Sequence, residues 1–163
     1  MTEKYSGALR NVSVFGALTD PEFGALASIF REVAVAPGEE VVREGDVTDA
    51  FFVVKEGTLN IFKGPADSRI FISVVGDGEY FGEAALFSNT SRSATVAAND
   101  PVVLLRTSRE QLLGFFDAHP PAGKKILLGM LQELFFRLSQ TSMALQSARK
   151  GAPSQADIDR LFA

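Results

Sequence analysis

Between residues 32 and 107 turn punctuation interrupts the chain again and again. Pro37-Gly38, Gly45-Asp46, Gly57, Gly64 and Gly76 to Gly78 cut it into short pieces. Between the cuts lie seven runs rich in Val, Ile, Phe and Thr, at 32–36, 40–43, 50–55, 58–63, 70–75, 93–97 and 102–107. Runs of this length and composition, bounded by Gly, Pro, Asp and Asn, read as strands. Long helices have no room in such a stretch. Strands that follow one another without intervening helices also exclude a doubly wound parallel sheet. What remains is a mainly β body, a sandwich or a barrel-like roll.

The flanks have a different texture. Residues 1–31 read as helical, with Thr19 or Asp20 as cap, Pro21 and Glu22 in a first turn, and Phe23, Leu26, Ala27, Ile29 and Phe30 near a helical period. The helical period returns at Ser108, a candidate N-cap with Gln111 at the capping-box position. His119-Pro120-Pro121 interrupts the chain, and a long helix is expected over about 122–149. The organisation expected is therefore a helical segment over 1–31, a strand-rich body over 32–107, helices over 108–149 and a flexible tail over 150–163.

Composition removes several kinds of chemistry. The chain has no Cys, which rules out disulfides, thiolate catalysis and Cys-based metal or iron–sulfur sites. A single His, His119, rules out multi-His metal sites and argues against a metal-dependent enzyme on a β-roll, so neither a catalytic nor a metal residue is expected. A formal charge of −4 disfavours a general role on nucleic acid, which rewards a basic face. No stretch resembles a signal peptide or a membrane span, and a soluble cytoplasmic protein is expected.

The stretch YFGEAALFSNTSRSATV, from Tyr80 to Val96, places one carboxylate and one guanidinium around a small glycine-bearing loop. Glycine lets the backbone approach a ligand closely. Glu83, Ala84 and Ala85 can begin one helical turn, whose unpaired N–H groups suit an anion. Arg92 can offer a permanently charged fork to phosphate oxygens. An ionised Glu83 only accepts hydrogen bonds, so its natural target is a hydroxyl, such as a ribose edge. One anion site beside one hydroxyl site describes a nucleotide with phosphate and sugar close together. The plainer reading of the same two side chains is an ion pair closing a surface loop, since such pairs are common.

The segment FGEAALFSNTSRSATV resembles, without gaps, the phosphate-binding cassette of the cyclic nucleotide-binding domain family, of the catabolite activator and cAMP-dependent kinase regulatory subunit type. Upstream, PGEEVVREGDVTDAFFVVKEGTLNIF is similar to the family's strand-and-turn pattern. The resemblance covers roughly residues 10–149, with the cassette at 78–96. It implies an eight-stranded, jelly-roll-like β-roll flanked by N-terminal helices and a long C-terminal helix. It further implies that Glu83 binds the ribose 2′-hydroxyl and Arg92 the exocyclic phosphate oxygens. The N–H groups of Gly82, Ala84, Ala85 and Ser93 would line the phosphate, with the Ser93 hydroxyl as an added contact.

In the long helix, Leu127, Leu131, Leu134, Leu138, Thr141 and Leu145 form a heptad seam, and Leu128, Phe135 and Ser142 a second stripe. One face is expected on the roll and the other on a partner helix; a single broad core face is the alternative. RLSQTS resembles the nucleotide-contacting helix of catabolite activator relatives, which implies that Thr141 and Ser142 contact the base across a parallel homodimer. That favours cAMP as ligand, while Ser93 keeps cGMP open. Too few residues follow Lys150 for a helix-turn-helix unit, so a free-standing sensor that signals to a partner in trans is expected. The tail SQADIDRLFA, with Ser154, Asp157, Ile158, Leu161 and Phe162, is a candidate amphipathic peptide for a protein partner. A scaffold acting through the long helix and tail without ligand is the remaining alternative.

Overall fold

The structure, a computed structural model, describes residues 6–88 and 90–151; the expectation for Ser154 to Phe162 lies outside them. Eight strands are present: β1 Arg31–Val35, β2 Glu40–Val42, β3 Ala50–Glu56, β4 Leu59–Lys63, β5 Ile70–Val75, β6 Tyr80–Phe81, β7 Thr95–Ala98 and β8 Val102–Ser108. Seven correspond to the runs read from the sequence. The eighth, β6, is two residues long, too short to show a pattern of its own. It forms by pairing Tyr80 with Val53 and Phe81 with Phe52 at the end of β3.

Two four-stranded antiparallel sheets result, in the orders β1-β8-β3-β6 and β2-β7-β4-β5. The mainly β, eight-stranded roll with flanking helices stands as expected. Within the first sheet, β3 is buried on both faces, which explains why it reads as an unbroken apolar run. Phe51 and Val53 face the helices, while Phe52 and Val54 face the second sheet, as the period of two requires. The second sheet is less protected. Its edge strand β5 leaves Ile70, Phe71, Ile72 and Val74 exposed.

The N-terminal part is less continuously helical than residues 1–31 suggest. It consists of α1 Ser6–Arg10, a 3-10 turn at Ser13–Phe15 and α2 Asp20–Ala27. Arg31, read as helical, instead opens β1 opposite Arg106; ladder pairing with β8 overrides the local pattern. Thr19 precedes α2, and the Glu22 carboxylate accepts from its N–H at 2.8 Å and its hydroxyl at 3.0 Å. After β8, Ser108 caps α4 Arg109–Ala118: its hydroxyl oxygen accepts from the Gln111 N–H at 3.1 Å, and Gln111 Oε1 accepts from the Ser108 N–H at 3.2 Å. His119 ends α4. α5, Pro120–Gly151, then begins on the two prolines, whose missing N–H groups have no partner in a first turn anyway.

Only part of α5 touches the body. Ala122, Ile126 and Met130 are buried, and Gly129 lies against Val14 so closely that a methyl there would sit 3.1 Å from its backbone. These residues lie on neither stripe read from the sequence. Leu127, Leu128, Leu131, Leu134, Phe135 and Leu138 are all exposed, so the stripe expected to rest on the roll does not. The body prefers the side where small Gly129 and Ala122 let the helix come close. Among the described residues, no helix is long and apolar enough to cross a membrane.

Candidate functional site

The loop after β6 is built from both sides. Phe81 is buried between the sheets and stacks on Phe52 with ring centroids 4.9 Å apart, which fixes the entry. Gly82 then adopts φ +86°, a region that L side chains rarely occupy. A Cβ there would also lie 2.7 Å from the Ala50 carbonyl oxygen, so this position requires glycine. Glu83 leads into a single turn, α3 Ala84–Phe87. The turn closes through Ala85 N–H to Gly82 O at 3.2 Å and Leu86 N–H to Glu83 O at 3.0 Å, and buried Leu86 pins it to the helical side of the core. Ala84 opens the turn, where its N–H has no partner within the helix.

Arg92 forms the opposite limb. Its N–H donates to Asp46 O at 2.7 Å and its carbonyl accepts from Gly45 N–H at 2.9 Å, which ties it to the turn after β2. Its side chain is only 7% exposed. Nε donates to Thr48 Oγ1 at 2.7 Å and Nη2 to Ala50 O at 2.6 Å. Nη1 lies directly against Gly82, 2.9 Å from where a Cβ would stand. Burial pushes the guanidinium pKa down, opposed by the carboxylates of Asp49 and Glu83. A guanidinium keeps its charge under such a shift.

The ion pair that residue types alone suggested is absent: among the described residues, no salt bridge joins Glu83 to Arg92. Nor does the Glu83 side chain cap α3. A recess of about 140 Å³ opens instead, lined by Gly82, Glu83, Ala84, Ala85, Arg92 and Ser93 together with Val42, Ile61, Phe81 and Val96. The chain thus brings six of the eight candidate residues to one cavity. Its polar lining offers a charged fork, a carboxylate and turn amides, and its apolar residues offer contact for a flat ring.

Thr141 and Ser142 are not among them. Both are exposed on α5. The Thr141 hydroxyl donates to its own helix, to Arg137 O at 3.0 Å. Ser142 lines a shallow groove with Phe135, Leu138 and Met143, away from the recess. Other participants had no motif to announce them. The Ala50 carbonyl and Thr48 hydroxyl aim Arg92, and a backbone carbonyl carries no sequence signal at all. Val42, Ile61 and Val96 could have been found by counting alternate residues along their strands.

A second cavity, about 470 Å³, separates α3 from α5. Glu83, Ala84 and Phe87 wall it on one side, and Leu127, Leu131, Leu134 and Arg137 on the other. Glu83 and Ala84 therefore face both spaces.

Known proteins show the same arrangement of chain. A cGMP-dependent protein kinase from Eimeria tenella is 37% identical over 94 residues, which are 58% of this chain and 9% of that one. A cAMP-dependent protein kinase type II regulatory subunit from Drosophila melanogaster is 33% identical over 114 residues, 68% of this chain and 30% of that one. The chain thus spans less than a third of the length of either relative. The crystal structure of a cyclic nucleotide-binding domain from Methylobacillus flagellatus superposes with a TM-score of 0.79 at 25% identity, covering 94% of this chain and 88% of that one. The profile of the cyclic nucleotide-binding domain matches residues 32–119, more than half of the chain and all of the recess. On that match, the chain belongs to the cyclic nucleotide-binding domain family.

Proposed function

We propose that this chain is a sensor that takes cAMP into the recess beside Gly82 and reports its occupancy through α5 to a protein partner in trans. The observation that carries the reading is the setting of Arg92. Two of its nitrogens are spent on Thr48 and Ala50, so the guanidinium is held rigid before any ligand arrives, with Nη1 against Gly82. A fork fixed in advance loses little entropy on meeting a phosphate. Glu83, unpaired with it, accepts from the ribose 2′-hydroxyl. Amides of Gly82, Ala84 and Ser93 line the phosphate. The Ala85 N–H, already donating to Gly82 O at 3.2 Å, joins them by sharing that bond.

The base is read by α5. Its exposed seam of Leu127, Leu131, Leu134 and Leu138 pairs with the same seam of a second copy, and Thr141 and Ser142 then meet the adenine from that interface. One relative is named for cAMP and another for cGMP, and Ser93 in the recess suits either. The Thr141–Ser142 pair favours cAMP. The role is binding rather than catalysis.

Titration calorimetry of the purified chain against cAMP and cGMP is the test. Binding of cAMP, tighter than cGMP, is expected, and Glu83→Gln should weaken it while leaving the melting temperature unchanged. Tighter binding of cGMP would overturn the choice of ligand, and no heat with either nucleotide, repeated by a fluorescence assay, would overturn the reading as a whole.

A further inference from the structure

Beyond its buried residues Ala122, Ile126 and Met130, α5 is held to the body at Glu133. Tyr80 precedes Phe81 and Gly82, and its ring packs on Phe51 with centroids 5.5 Å apart, so it moves with the recess. Its hydroxyl donates to Glu133 Oε2 at 2.9 Å. The Ser13 hydroxyl reaches the same oxygen at 3.4 Å, from the N-terminal 3-10 turn. The other carboxylate oxygen accepts from Arg137 Nη2, one helical turn on, and that guanidinium lies 5.8 Å above the Tyr80 ring. Burial and the neighbouring Glu133 push the Tyr80 pKa up, so the phenol stays protonated and able to donate.

The position of this clasp along α5 matters. Before it, Ile126 and Met130 are buried; after it, Leu134, Phe135, Phe136 and Leu138 are exposed. Glu133 is therefore where the helix leaves the body. No residue of α5 lines the recess, and the cavity of about 470 Å³ lies between them. For α5 to touch a bound nucleotide, that gap has to narrow, and a helix fastened to Tyr80 resists the movement.

Building on the sensor reading above, we propose that Glu133 is a positioning residue: bonded to Tyr80, it holds α5 off the recess and so sets how tightly nucleotide binds. A ligand that gains contacts only after α5 moves has an apparent affinity reduced by the fraction of molecules already in that state. A hydrogen bond to a charged acceptor is strong enough to change that fraction about tenfold. The clasp thus acts on affinity without touching ligand.

The test uses the full chain. Because the protein has no cysteine, Ser73→Cys and Gln140→Cys place one spin label on exposed β5 and one on exposed α5 without competing thiols. Tyr80→Phe deletes only the hydroxyl, and Glu133→Ala removes the acceptor. Each is expected to bind cAMP about tenfold more tightly than wild type, with the double variant no tighter than either single one. Without nucleotide, the label distances of each variant should already shift toward those of cAMP-bound wild type. Unchanged or weaker affinity in a folded Tyr80→Phe, or an unchanged label distance, overturns the proposal. If wild type binds neither cAMP nor cGMP, the sensor reading fails by itself. The clasp is then decided by the nucleotide-free label distances alone, where a shift supports it and no shift overturns it. Should Glu133→Ala not fold, Tyr80→Phe carries the same decision.

Discussion

The loop from Gly82 to Ser93 and the outer half of α5 both carry residues that the sequence marks for nucleotide binding, yet the protein treats them oppositely. The loop is fastened on each limb, by Phe81 and Leu86 on one side and by Gly45, Asp46, Thr48 and Ala50 on the other. The outer half of α5 reaches back only with Arg137 above the Tyr80 ring among the described contacts, and it shows Phe135, Phe136, Leu138 and Met143 to solvent. A rigid site can be specified within one chain, because the groups that aim it are its own backbone. A face that leaves large apolar side chains exposed marks a place where another surface belongs. On the proposed reading, the residues for sugar and phosphate are thus gathered within this chain, and those for the base await a movement or a second molecule.

Breaking the fastened side should have the largest effect. Arg92→Ala is expected to reduce cAMP affinity by more than a hundredfold in calorimetry, because it removes the charged fork. From sequence alone the fold should survive this change untouched. The structure gives a different expectation. Truncation strips the Ala50 carbonyl and the Thr48 hydroxyl of their buried donor, a loss of about 1–3 kcal/mol in a denaturant melt. An unchanged melt would mean that Arg92 is held less firmly than its bonds indicate.

Two glycines sharpen the same contrast. Gly82→Ala forces a methyl against the Ala50 carbonyl at positive φ and should destabilise by at least about 1–2 kcal/mol, with loss of binding. Gly114, inside α4, has nothing within 4 Å of an added methyl. Gly114→Ala should stabilise by about 0.5–1 kcal/mol and leave affinity alone. Equal effects of the two changes would deny that the loop is built around its glycine.

On the unfastened side, Leu138→Glu is expected to change the melt of the monomer by less than about 0.5 kcal/mol, since the side chain is 54% exposed. In sedimentation the same change should convert a dimer into a monomer. A chain that sediments as a monomer before substitution would break the pairing of seams and leave the exposed face to another kind of partner.

These contrasts explain what the sequence could reveal. Strand runs were legible because glycine turns delimit them and because β-branched residues have few other uses at that length. The capping boxes at Thr19–Glu22 and Ser108–Gln111 were legible because both partners lie within one turn. The six recess residues followed from one contiguous motif, which the fold folds back on itself. Strand β6 was not legible, since two residues carry no period and only β3 makes them a strand. Neither was the docked side of α5. Helical spacing finds apolar stripes, and here the helix docks through the small side chains at Ala122 and Gly129 while the leucines stay outside. Thr48, Ala50, Tyr80 and Glu133 make contacts between residues 42 to 120 apart in sequence, which no local pattern encodes.

The smallest effect concerns the ion pair that, among the described residues, fastens the inner half of α5 to the N-terminal helices. Lys125 Nζ donates to Glu22 Oε2 at 2.7 Å, and the Thr19 N–H and hydroxyl reach the same oxygen. The Lys125 bond, then the Thr19 N–H, hold the Glu22 carboxyl at a pKa of about 2, below its usual 4.5. A carboxyl whose pKa is lower in the folded than in the unfolded chain contributes fully above the unfolded value. Its contribution is lost as pH falls from about 4.5 toward 2. Denaturant midpoints of wild type and Glu22→Gln should therefore differ most at neutral pH and converge as the pH is lowered through that window. The pair is partly exposed and screened by salt, so the difference should be modest and should shrink at high ionic strength. Arg137→Gln in the outer half removes a partner that lies only one helical turn from Glu133, and it should leave this acid profile as it is. If the two variants altered the acid profile alike, the division of α5 into a fastened and an unfastened half at Glu133 would have to be abandoned.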